Sequence, residues 1–142
     1  MAITNGYCTL AELKARLGIS DTTDDAVLEP LVESVSRAID DWCSRQFYAV
    51  TQTRYYTAER QGRLLVDDLL TVTTLKTDED GDGTFETTWA TTDYYLSPYN
   101  AQLESVPQPY TAIEASSAGN YWFPVGQPRG VQIVGSFGFS AA

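Results

Sequence analysis

The segment Asp24 to Phe47, DDAVLEPLVESVSRAIDDWCSRQF, constrains the fold more than any other. It alone sustains a long helical period. Leu28, Leu31, Val32, Val35, Ile39, Trp42 and Cys43 recur at three- and four-residue steps, which places them on one helical face. Glu29, Glu33, Arg37, Asp40, Asp41 and Ser44 fall on the other. Such a helix is roughly 35 Å long. Burying its seven apolar side chains at roughly 1.5–3 kcal/mol each would make it the largest single source of stability. Pro30 removes a backbone donor and crowds the carbonyl of Ala26, so the helix is expected to bend there without breaking.

A shorter helix precedes it. Thr9-Leu10-Ala11-Glu12 has the form of a capping box, in which hydroxyl and carboxylate each serve the other residue's amide. Leu10, Leu13 and Leu17 share one face, and Gly18 is placed to end the helix. Thr23 or Asp24 can cap the long helix that follows. Residues 1–48 therefore read as a helical pair.

After residue 48 the period changes to two. Strands are predicted over Val50–Tyr56, Arg63–Val66, Leu70–Lys76, Thr84–Trp89, Tyr94–Leu96, Thr111–Ala115 and Val131–Phe139. Asp67-Asp68 is read as a turn between two of them, and the prolines of 97–109 as marking a loop. Gly135 and Gly138 point to a bulge or a close backbone approach in the last strand. The fold class is α+β: the N-terminal helical pair, with residues 49–142 forming a small antiparallel β-sheet or barrel-like unit packed on it as one compact body.

The reactive groups are few. The chain has no histidine, which removes the commonest general base and zinc ligand. It has no glycine-rich phosphate loop. No turnover is expected. Two cysteines, Cys8 and Cys43, make neither a disulfide framework nor a zinc signature, and Cys43 is expected as a buried free thiol. With no signal arrangement and no membrane-length apolar run, the chain reads as soluble and made in a reducing compartment. A net charge of −10 without a Lys/Arg cluster argues against gripping nucleic acid.

Two stretches carry candidate contacts. Asp78-Glu79-Asp80-Gly81-Asp82-Gly83 has the D-x-D-x-D-G spacing of the first half of a calcium loop, with Asp78, Asp80 and Asp82 as ligands. The acid expected at the twelfth position is instead Trp89, and both flanks read as strands. The stretch is therefore a hairpin turn alone, or a hairpin that also binds Ca²⁺ weakly; no other cofactor is expected. Tyr121-Trp122-Phe123, in the loop between Gly119 and Gly130, is the aromatic cluster best placed for a partner contact.

Tyr7-Cys8-Thr9-Leu10-Ala11-Glu12-Leu13-Lys14-Ala15-Arg16-Leu17-Gly18-Ile19, and the later SVSRAIDDWCSRQFY from Ser34 to Tyr48, resemble the two opening helices of the head–tail connector proteins of tailed phages and prophages. Thr53–Tyr56, Leu69–Asp78, the DGDG turn, Asp93–Leu96 and Val134–Phe139 resemble the longer members of that family. The resemblance implies a structural adaptor of the virion neck, assembled in the host cytoplasm. It implies a homo-oligomeric ring of about twelve copies below the portal. The ring gives stopper or tail proteins a docking surface and extends the channel through which DNA passes without specific binding; no membrane is involved. In such a ring Glu33, Arg37, Asp40, Asp41 and Arg45 would meet a neighbouring subunit or the channel, with Arg37 and Arg45 in inter-subunit ion pairs. Many members continue past the last strand with further helices, whereas this sequence stops at Ala142. A head-closure or tail-terminator component and a calcium-dependent binding module are the alternative readings.

Overall fold

The structure, a computed structural model, describes residues 3–139. The chain divides into two compact units, Met1–Arg45 and Gln46–Ala142.

The first unit holds helices α1 (Leu10–Leu17) and α2 (Asp25–Cys43). The capping box at α1 is formed: Thr9 Oγ1 accepts from the Glu12 amide at 3.1 Å, and the Glu12 carboxylate accepts from the Thr9 amide at 2.7 Å. Those bonds favour the charged form, so the Glu12 pKa lies below its ordinary value, the Thr9 amide being the largest cause. Gly18, at φ 70°, ends the helix in the left-handed region, and the Ile19 amide donates to the Lys14 carbonyl at 3.0 Å. Lys14 reaches across to Asp25 at 2.5 Å. The longer helix runs unbroken through Pro30. Asp24 precedes it without a side-chain capping bond.

The expected burial of the α2 apolar face is not observed. Among α2 residues only Val32 and Ser36 are buried. Leu31, Val35, Ile39 and Trp42 are 50, 57, 42 and 91% exposed, and Cys43 is an exposed thiol, not a buried one. The reason is which side the N-terminal segment takes. Residues 3–7 cross α2 on the side of Val32 and Ser36, close enough that a Cβ on Gly6 would fall 2.9 Å from Val32. The Tyr7 amide donates to Ser36 Oγ at 3.0 Å, and that hydroxyl donates to the Val32 carbonyl at 2.7 Å.

The second unit is an antiparallel sheet of six strands: β1 (Val50–Tyr56), β2 (Arg63–Thr77), β3 (Thr87–Trp89), β4 (Tyr94–Ser97), β5 (Tyr110–Ala115) and β6 (Val131–Phe137). Their order is β1-β6-β2-β5-β4, with β3 beside β2, and the sheet does not close into a barrel. The two strands expected on either side of Asp67-Asp68 are one. Its first half pairs with β5 and its second with β6 and β3, with register shifts from Leu65 to Leu69 and beyond. Asp67 stays in the strand because Arg54 and the Tyr56 hydroxyl each reach it at 3.0 Å.

The core of this unit contains Leu64, Leu69, Leu75, Ile113, Ile133 and Phe137, each at most 1% exposed. Alternation is strict in β6, whose odd residues are buried and whose even ones are partly exposed. The glycines expected to mark close approach do so. A Cβ on Gly135 would lie 2.1 Å from the Thr71 carbonyl oxygen, and one on Gly138 2.2 Å from that of Tyr48.

Candidate functional site

The most concentrated chemistry lies between β2 and β3. Leu75 pairs with Trp89 and Thr77 with Thr87, so residues 78–86 form the hairpin connection. Asp78 is the hub of its turn: its two carboxylate oxygens accept the amides of Gly81 at 2.7 Å and Gly83 at 3.0 Å. Gly81 and Gly83 sit at φ 83° and 90°, conformations that favour glycine. Asp80 accepts from the Asp82 amide at 3.2 Å, and Asp82 from the Thr84 amide at 2.7 Å. The last bond holds the Asp82 carboxyl below its ordinary pKa.

These turns bring together Asp78, Asp80 and Asp82, as the spacing predicts, and add Glu86, which the calcium-loop template missed. One carboxylate oxygen from each of the four lies within 4.8 Å of the others. Asp78 is buried; the other three are exposed. The template looked to position twelve, Trp89, for its last acid. In a hairpin the relevant signal is cross-strand register. Continuing the Leu75–Trp89 and Thr77–Thr87 pairing by one step sets residue 86 opposite Asp78. The donor set is all carboxylate oxygen, which suits a hard divalent cation such as Ca²⁺.

Trp89 closes the loop against the core. Its indole N–H donates to Thr77 Oγ1 at 3.1 Å. Its ring stacks on Phe123 at 4.6 Å and lies 5.7 Å from Tyr121. The aromatic triplet thus splits. Phe123, 1% exposed, is a core residue and is corrected out of the contact set, Tyr121 is partly buried, and Trp122 is 55% exposed. Alternation in an extended segment explains the split.

The residues assigned to the polar face of α2 are engaged within their own unit. Glu33 accepts from the Thr4 amide, and Asp40 from the Tyr7 hydroxyl. Arg37 pairs with Asp40 at 3.0 Å, donates to the Asn5 carbonyl at 2.8 Å and lies over the Tyr7 ring at 5.5 Å. Glu33, Arg37 and Asp40 thus bed the N-terminal segment of their own unit. Asp41 and Arg45 are exposed at the helix end. Ser44, at φ 49°, ends α2, and the Arg45 amide donates to the Asp40 carbonyl at 3.1 Å.

Among the described residues no helix is long and apolar enough to cross a membrane. No curated protein and no solved structure matches the chain. The segments resembling connectors at Asp93–Leu96 and Val134–Phe139 lie outside the stretch matched by a family. That stretch contains both helices, β1 and part of β2: over residues 7–73 the chain matches the family described as phage gp6-like head-tail connector proteins.

Proposed function

We propose that this protein is a structural adaptor of a phage neck, assembling as a homo-oligomeric ring between the portal and the stopper or tail proteins. The observation that carries this reading is the family match over residues 7–73. A net charge of −10 supports it physically, since an acidic wall lets a phosphate backbone pass without holding it. The work is done by assembly, in the virion. The test is mass measurement of the protein alone and mixed with portal rings, followed by electron microscopy of the mixture. A strict monomer that ignores portal rings sinks the proposal. Density one ring further from the portal favours a head-closure or tail-terminator place instead.

A second reading rests on the convergence of Asp78, Asp80, Asp82 and Glu86. Here the β2–β3 hairpin binds Ca²⁺ and the cation stiffens the loop for a partner. Calorimetric titration with calcium, and thermal melts with and without chelator, test it. Unchanged melts in chelator, together with an Asp80→Ala protein that behaves as the parent does, remove it.

A further inference from the structure

Copies of a chain carrying −10 repel one another, so a contact between them is favoured where base meets acid. Lys14, Arg37 and Arg54 are engaged in ion pairs of 2.5, 3.0 and 3.0 Å within the chain. Arg60 and Arg63 are placed differently. They share a groove of about 450 Å³ at the start of β2, lined also by Thr57, Glu59 and Leu65. Among the described residues the Arg60 side chain has no hydrogen bond or ion pair. Arg63 reaches Glu114 at 3.8 Å, and the other oxygen of that carboxylate accepts from the Tyr99 hydroxyl. The groove therefore sets two exposed guanidiniums against one lining carboxylate, Glu59. Its flank is apolar: Leu65 and Trp122 are exposed, and a Cβ on Gly62 would lie 3.8 Å from the Trp122 ring. Arginine beside exposed tryptophan is a composition enriched at protein contacts.

An acidic surface that fits lies past the other end of the same strand. β2 ends at Thr77, and in the hairpin after it residues 79–84 are exposed without interruption. Glu79, Asp80 and Asp82 stand on this tip, and its glycines, Gly81 and Gly83, add no side chain to shield them. Within the chain these carboxylates accept from local donors: the Thr87 hydroxyl for Glu79, the Asp82 amide for Asp80 and the Thr84 amide for Asp82. Each carboxylate keeps lone pairs for a guanidinium. Among the described residues no ion pair joins tip and groove within one chain. Groove and tip are unlike surfaces, and a contact between unlike surfaces is heterologous. Each copy then gives its tip to one neighbour and its groove to the other, which is how a ring grows, whereas a like-to-like contact closes at two. We propose that the acidic tip of one copy seats in the Arg60–Arg63 groove of the next. The inference rests on the ring reading above and names a contact that builds it.

Charge reversal on the full chain tests it, with ring mass read by native mass spectrometry and the fold checked by circular dichroism. Arg60→Glu with Arg63→Glu, and separately Glu79→Lys with Asp80→Lys, are each expected to weaken the association of copies by about tenfold or more. All four substitutions in one chain, which exchange the two charges, are expected to restore it. Mixing the two double variants is expected to do the same, because every tip then meets a groove of opposite sign on its unlike neighbour. Rings that ignore either reversal overturn the contact and leave the ring reading standing. So do two losses that neither the fourfold variant nor the mixture repairs. Loss of portal binding by the groove variant while its copies still assemble seats the portal in the groove, and overturns the contact as well. A parent chain that stays monomeric with and without portal rings removes the ring reading, and the contact with it.

Discussion

The two units obey the same hydrophobic periodicity and use it differently. In the second, the apolar residues on the inward face of β6 are buried: Val131, Ile133 and Phe137 are all 0% exposed. In the first, α2 has an equally regular stripe, yet Val35 and Trp42 on it are mostly exposed while Ser36 is buried. A periodic pattern reports which side of an element avoids water. It does not report what covers that side. In the sheet, neighbouring strands of the same chain supply the cover. On α2, residues 3–7 cover the edge of the stripe at Val32 and the polar side next to it, and leave the seam open.

Mutations can break this comparison or sharpen it. The largest effect is expected at Phe123→Ala. It removes a fully buried ring stacked on Trp89 and should cost about 3–5 kcal/mol in urea unfolding. Its neighbour Trp122→Ala should stay within about 0.5 kcal/mol. If both cost the same, the inward and outward assignment of the triplet is wrong. Next, Asp78→Ala removes the acceptor for the Gly81 and Gly83 amides and should cost about 1–3 kcal/mol. Unfolding with and without calcium separates its roles: a loss that is the same in both belongs to the turn, and a loss confined to calcium belongs to a cation.

A smaller effect is set by pH. Burial, and then the Asp67 carboxylate, push the Tyr56 hydroxyl from its ordinary 10.0 up to about 12. The folded chain holds that proton more tightly than the unfolded chain does. Its contribution to stability is therefore complete below about pH 10 and is lost as pH rises toward about 12. Tyrosinate absorbance and unfolding followed together should show this, and Tyr56→Phe should flatten the alkaline part of the stability curve. The smallest effect is expected at Val35→Ala, within about 0.5 kcal/mol despite its place on the stripe. A cost of several kcal/mol there would show that the stripe is buried in the free chain.

Much of the fold was legible in local sequence. Thr9 and Glu12 announce the start of α1, and Gly18 its end, because capping is chemistry between residues a few positions apart. Val50–Tyr56 was read with the bounds observed for β1. What was not legible depends on residues distant in the chain. Asp67-Asp68 looks like a turn until Arg54 and Tyr56 arrive from β1 to satisfy Asp67. The acceptors of residues 3–7 on α2 leave no period behind them; Gly6 is the only trace. At the hairpin, spacing alone gave three of the four converging carboxylates, and register was needed for Glu86.

The order β1-β6-β2 has a consequence for synthesis. The last strand stands between the first two, with Val50 opposite Phe137 and Thr77 opposite Val131. While the chain is still growing, β1 and β2 share no backbone ladder and meet only through side chains such as Arg54 and Asp67, until β6 has left the ribosome to pair with both. The helical unit needs no such wait, since its contacts close within residues 3–45. Pairings so far apart in sequence are slow to form. Nascent chains arrested ahead of Val131 are expected to carry helices and an unfinished sheet, with β1 open to proteases until the final strand is released.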